Sequence, residues 1–231
     1  MMLPEIRLAV VGDASGVVQV KQLTWPEEAV DLECVESVLT DASHAAFAAE
    51  AEGQVVGFVD GFTTTAANGD LRWEVDLLAV HPEWRGRQLG QALITACLKA
   101  GQTRGAVFAR ALIQVKNRAS QISFARCGFT SQPHVLTLYV ASAIEEVDSS
   151  LTCPGHLVAV NTINYCGLWL EEDHSEASLR AAQAACRQAK CDILGVLVKQ
   201  ADLSDNGEIQ ALGFTRIGEY AWWTLPFEAV L

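Results

Sequence analysis

The sequence predicts an α/β protein on a mixed β-sheet: a complete unit at residues 1–143, a polar linker at 144–152, and a smaller, related half domain at 153–231. Three observations predict it. Residues Trp73 to Leu98 read as a strand, a turn at His81-Pro82, a basic loop punctuated by Gly86 and Gly90, and an apolar helix. Ahead of them, alternating residues broken by turn signals give successive antiparallel strands. Behind the linker the same order of elements returns, and Cys127-Gly128-Phe129-Thr130 has a counterpart in Leu212-Gly213-Phe214-Thr215.

Taken in order, Glu5 to Val11 reads as a strand closed by Gly12-Asp13, with Asp13 placed to cap a helix to about Lys21. Thr24-Trp25-Pro26-Glu27 has the spacing of a capping box, Thr24 as N-cap and Glu27 three residues on, for a helix through Leu39. His44 to Glu52 and Gln54 to Thr65 flank Gly53 as a hairpin, and Asn68-Gly69 signals a second turn before the central strand. Strict alternation along Trp73 to Val80 puts Glu74, Asp76, Leu78 and Val80 on one face and Trp73, Val75, Leu77 and Ala79 on the other. Two carboxylates on a largely buried strand need partners or a raised pKa, and either condition suits a general base. Ala106 to Val115 reads as a buried parallel strand, Asn117 to Cys127 as a helix with Gly128 at its C-terminal end, and His134 to Ala141 as a return to the sheet. Past the linker come strands at Leu157 to Ile163 and Gly167 to Glu171, a helix from Ser175 to Ala189, a strand from Cys191 to Val198, a short helix and a last strand to Leu225.

Half of the residues are apolar, ample for a buried core, and the net charge is −12. That charge argues against nucleic acid and anionic membrane surfaces and favours a cationic small molecule or basic peptide as partner, unless it serves solubility alone. The seven cysteines form no C-x-x-C pair and their number is odd, so reduced, mostly structural thiols in a cytoplasmic protein are expected, with no metal site. The N-terminus lacks the basic and apolar regions of a secretory signal, and no apolar run of spanning length occurs.

The loop Arg85-Gly86-Arg87-Gln88-Leu89-Gly90-Gln91-Ala92 carries the chemistry. A helix's first N–H groups have no partner inside it and its dipole is positive there, so a phosphate or diphosphate is the natural occupant. Gly-Lys-Ser/Thr of the P-loop and G-x-G-x-x-G of the dinucleotide fold are both missing. The residues resemble instead the acetyl-CoA loop of the GNAT N-acetyltransferases, R/Q-x-x-G-x-G/A, filled by Arg87 to Ala92, with a second family block at Asn117 to Phe129.

That resemblance implies acetyl-CoA as co-substrate and direct acetyl transfer to a primary amine in a ternary complex. It implies that Leu78, Ala79 and Val80 contact the coenzyme through their backbone, that Arg85, Gly86, Arg87, Gln88, Leu89, Gly90, Gln91 and Ala92 take the diphosphate, and that Asn117 reaches the pantetheine arm or simply caps its helix. Glu74 matches the position of a catalytic base in some members, with Asp76 the runner-up and a structural Arg partnership the alternative for Glu74. Phe124 stands near the sulfur where many members have a proton-donating tyrosine; solvent, Ser123, Cys127 or Tyr139 would have to substitute, or the chain is an acetyl-CoA-binding sensor or pseudo-enzyme. The region between the first two strands implies acceptor contacts from Trp25, Glu27, Glu28 and Asp31. In the second half the loop position holds Glu171-Glu172-Asp173-His174-Ser175-Glu176, which would repel a diphosphate. A monomer or homodimer is expected.

Overall fold

The computed structural model describes residues 4–142, 152–199 and 206–228; the predicted linker lies almost wholly outside them. Strand β1 (Glu5–Leu8) is followed by helices α1 (Ala14–Thr24) and α2 (Leu32–Thr40), and then by β2 (Phe47–Ala51), β3 (Gln54–Thr65) and β4 (Leu71–Val80). Helix α3 (Leu89–Thr103), β5 (Phe108–Gln114), α4 (Arg118–Arg126), β6 (Thr130–Ser131) and β7 (Leu136–Ser142) complete the first half. The second half supplies β8 (His156–Asn161), β9 (Cys166–Glu171), α5 (Glu176–Gln188), β10 (Ile193–Lys199), α6 (Asn206–Ala211) and β11 (Thr215–Pro226).

All the long strands join one sheet, in the order β1-β2-β3-β4-β5-β11-β7-β10-β9-β8. The pairs β4–β5 and β9–β10 are parallel, each bridged by a helix. The last strand, β11, lies antiparallel beside β5 of the first half, while β7 lies antiparallel beside β10 of the second. Each half thus completes the other's sheet, and β7 and β11 pair at the centre. On one face of the first half, α3 buries Leu93, Ile94 and Cys97 against Trp73, Val75 and Val59. Trp73 lies flush against Gly61 and Gly101, with no room for a Cβ at either. On the other face α1 and α2 bury Val17, Val20, Val35 and Val38 with Phe58 and Ala79, joined by Ile163 from the β8–β9 turn. The β8–β9 hairpin folds back over β3: Val158 and Val160 pack on Phe62, and His156 Nε2 lies 2.8 Å from the Thr65 carbonyl.

Two predicted caps are corrected. Thr24 ends α1 instead of starting a helix, because its hydroxyl is satisfied by the Val20 carbonyl at 2.9 Å; Asp31 caps α2, accepting from Glu33 N at 2.9 Å. Asp13 gives its carboxylate to Arg7 at 2.7 Å and to Val10 N at 2.8 Å, and makes no cap bond to α1.

Candidate active site

The site grows from an irregularity in β4. Its register with β3 slips between Phe58 and Asp60, where one extra residue is accommodated, and Leu77 takes a left-handed φ of 45°. Such a bulge reverses the side-chain alternation beyond it. The strict alternation read from the sequence is therefore wrong past Asp76: Leu78 and Val80 pack with Trp73 and Val75 on the α3 side, and Leu77 joins Ala79 on the α1–α2 side. Pairing of β4 with β5 stops at Glu74 opposite Arg110, and the rest of β5 turns to β11.

Where the strands part, a cleft of ≈ 790 Å³ opens. Val75 to Leu78 and Ala111 to Gln114 form its edges; Asn117, Ser120 and Phe124 approach from α4, and Trp25, Glu28, Tyr165, Trp169, Tyr220 and Trp222 from elsewhere. Of the residues predicted for catalysis and acceptor binding, Glu74, Asp76, Trp25 and Glu28 line the cleft and Glu27 and Asp31 do not. Glu28 also receives the buried Lys21 ammonium at 3.3 Å.

The predicted diphosphate loop lies just outside this lining. Gly86 and Gln88 adopt φ of 76° and 61°, turning the chain into α3, which opens with no side-chain cap. Among the described residues the N–H groups of Gly86, Gln88, Leu89 and Gly90 make no hydrogen bond, whereas those of Arg85, Gln91 and Ala92 are bonded to Pro82 and Gln88 carbonyls. Arg85 Nε donates to the Val80 carbonyl at 3.2 Å, and the Arg87 guanidinium lies 4.5 Å from the centre of the Trp84 ring. A Cβ on Gly90 would meet only ordinary contacts, Leu78 at 3.6 Å and Ser123 Oγ at 3.8 Å, so protein packing does not demand the glycine. Open amides, two exposed arginines and this bare turn fit a diphosphate. Leu78 borders both Gly90 and the cleft, and so links the two places.

Glu74 is engaged. Arg110 Nε reaches both its carboxylate oxygens at 2.8 Å and the Thr64 hydroxyl donates to Oε1. Arg72 and Arg110 go on to Glu171 of β9 at 2.8 and 2.6 Å, so two arginines and two glutamates from both halves neutralise one another. Arg110 also lies over Trp222, 4.0 Å from the ring centre. This balance requires Glu171 to stay ionised: burial acts to raise its carboxyl, but the Arg110 charge and the hydrogen bonds from both arginines hold it below the usual carboxylate range. This geometry fits the structural alternative for Glu74.

Asp76 differs. Burial first, then the charge of Asp60 opposite, push its carboxyl up to about 7, against the Leu77 N–H and His44, which lower it. Asp60 is fully buried and hydrogen-bonded to His44 Nδ1 at 2.8 Å. Tyr165 Oη accepts from Trp169 Nε1 at 2.8 Å; burial, then the Asp76 charge, raise its phenol above the ordinary value, so it keeps its proton.

Asn117 caps α4, accepting from Ser120 N at 3.1 Å. Phe124 is 3% exposed and packs edge-on against Phe129, 5.0 Å between ring centres. Of the substitutes weighed for its missing hydroxyl, Ser123 donates to the Ala119 carbonyl at 3.0 Å, Cys127 contacts the Gln91 carbonyl at 3.7 Å, and Tyr139 is fully buried in the second half's core. Sequence reasoning missed Tyr165, Trp169, Glu171, Tyr220 and Trp222, all of the second half. Its one signal was the return of tryptophan and tyrosine in pairs at 165–169 and 220–223.

Residues 17–129 match the model of the acetyltransferase (GNAT) family. That match places residues 17–129 in the GNAT superfamily, a class of acyltransferase enzymes that use acetyl-CoA. The chain is 29% identical over 138 residues to an aminoglycoside N(6')-acetyltransferase type 1 from Stenotrophomonas maltophilia, covering 58% of this chain and 90% of that one. A tandem GNAT protein from the clavulanic acid biosynthesis pathway shares the fold at a TM-score of 0.60 and 12% identity, over 96% of this chain and 98% of that one. The glucosamine N-acetyltransferase region of a fungal multi-domain GH3 β-N-acetylglucosaminidase gives 0.66 at 10% identity, over 97% of this chain and 38% of that one. No helix among the described residues is long and apolar enough to cross a membrane.

Proposed function

We propose that this chain transfers an acetyl group from acetyl-CoA to a primary amine of a small cationic molecule, in the cytoplasm. The observation that carries this reading is the passage from the open amides of α3, past Leu78, into a cleft bordered by Asp76. The amine enters as an ammonium, drawn by Glu28 and Asp76. Asp76 accepts a proton, since a group with a value near 7 is poised to do so at neutral pH. The neutral nitrogen then attacks the thioester carbonyl carbon, the C–N bond forms, the C–S bond breaks, and the second N–H proton leaves the new amide nitrogen for solvent. The thiolate takes its proton from solvent, because Phe124 has none to give. Arg85, Gly86, Gln88, Leu89 and Gly90 hold the diphosphate; Glu74 holds Arg110. Residues 153–231 form a half domain that has kept the fold, lost the coenzyme loop and supplies the aromatic wall of the acceptor cleft.

Amino sugars head the acceptor panel, since the relatives named for aminoglycosides and glucosamine act on such amines and Trp25, Tyr165 and Trp169 offer ring faces. Calorimetry with acetyl-CoA, then CoA release across amino sugars, polyamines and basic peptides, tests the proposal. No binding at about 1 mM, a very weak interaction, would remove it. In an active pair, Asp76→Asn should lower kcat/KM by about 10²–10⁴-fold. The buried Phe124 favours one second reading, a sensor with little turnover. Strong new activity in Phe124→Tyr would support that instead.

A further inference from the structure

Asp76 does not stand alone on its face of the sheet. Register places Asp60 of β3 directly opposite it, between Phe58 and Phe62. Directly opposite residues on neighbouring strands share a face, with Cβ atoms about 5 Å apart. Asp60 is completely buried; one oxygen meets His44 Nδ1 at 2.8 Å, and the other, Oδ1, has no hydrogen-bond partner among the described residues. His44 is itself buried and stacks on Phe62, 5.0 Å between ring centres. An unsatisfied carboxylate oxygen deep in a protein is costly unless its charge does something for a neighbour. No other acid of the described core is left in that condition, for Glu74 is held by Arg110 and Thr64.

We propose that Asp60 and His44 form a buried pair behind Asp76 that governs when Asp76 takes the proton from the acceptor amine, both acting as positioning residues that do not touch substrate. The negative charge of Asp60 makes a second negative charge on Asp76 expensive, which favours the protonated form. His44, hydrogen-bonded to Asp60, offsets part of that charge and tempers the effect. The ammonium N–H bond breaks, an O–H bond forms on Asp76, and the proton later leaves to solvent through the cleft. Other groups face the pair too. Glu74 adds negative charge from β4, the Tyr165 phenol approaches from the β8–β9 turn, and the Cys97 thiol of α3 lies within electrostatic reach of Asp60. Asp41 approaches His44 from the end of α2.

This inference rests on Asp76 as the proton acceptor, and the test separates the two. Full-length protein carrying ¹³C at the aspartate carboxyls is titrated by NMR, with signals assigned through Asp76→Asn and Asp60→Asn. In the unsubstituted protein the Asp76 carbon should show two steps, since coupled groups report one another's titration. In Asp60→Asn the Asp76 midpoint should fall by about one pH unit or more, and in His44→Gln it should rise. A single Asp76 step at the ordinary carboxylate value, or a midpoint indifferent to Asp60→Asn in a protein that melts like the parent, overturns the coupling. Through-bond assignment from the backbone keeps the parent's Asp76 curve readable where a variant fails to fold, and a single step there at the ordinary carboxylate value still overturns the coupling. Undiminished acetyl transfer by Asp76→Asn would instead defeat the base assignment and leave the measured coupling intact.

Discussion

Two helices hold matching places in the two halves, each crossing between parallel strands, and their N-termini are built oppositely. Helix α3 follows residues turned by positive φ at Gly86 and Gln88, and its leading amides carry no protein hydrogen bonds among the described residues. At α5, Ser175 takes the Ser178 N–H at 3.3 Å, and Asp173 accepts from Ser175 N at 2.9 Å and from the Ser178 hydroxyl at 2.8 Å. A helix end that supplies its own acceptors gains stability and gives up its hold on external anions; one that does not is less stable and available. In the proposed function, one topology thus serves recognition in one half and architecture in the other.

The sharpest way to break the contrast is to close the open end. Gly90→Glu sets a carboxylate in the first turn of α3, where packing tolerates a side chain, so acetyl-CoA affinity should drop by roughly 10²-fold while the melting temperature barely moves. Comparable affinity by calorimetry would contradict the assigned loop. Next is the tie between halves. Glu171→Gln leaves Arg72 and Arg110 with Glu74 alone; with Glu171 side-chain exposure at 20%, the cost should be about 2–3 kcal/mol, read as a fall of about 5–10 °C in thermal unfolding. Smaller again, Ser175→Ala should cost about 1 kcal/mol and still not create coenzyme binding, because Glu171 to Asp173 remain.

A different readout, the dependence of stability on pH, tests Asp76 itself. Asp76 has a folded value of about 7, above the ordinary 3.8, so between those pH values the folded protein holds a proton that the unfolded chain lacks. That contribution is fully present below the ordinary value and lost as pH rises through about 7. Glu171 has the opposite sign: its lowered value contributes above the ordinary carboxylate range and is lost as pH falls. Melting curves from pH 5 to 8 should therefore show Asp76→Asn gaining on the parent as pH rises. Parallel curves would remove the raised Asp76.

Local signals were strong where one segment decides its own conformation. The strand, the glycine turns and the apolar run after the loop gave β4, the loop and α3, and the order of elements in the second half was legible too. What could not be read depends on partners distant in sequence. Nothing in Trp73 to Val80 announces the bulge at Leu77, because the extra residue is defined only against β3. Glu171 read as a group that repels phosphate; its role as the counter-charge of two arginines nearly a hundred and some sixty positions away needs the folded sheet. Thr24 failed as a cap because its hydroxyl had a nearer acceptor within its own helix.

The exchange of β7 and β11 has a consequence for how the protein is made. On the ribosome, β5 emerges long before the segment that pairs with its outer edge, so the nascent chain carries an uncapped strand until β11 has been made. Such late, long-range closure slows folding and leaves that edge open to pairing with other chains in the meantime.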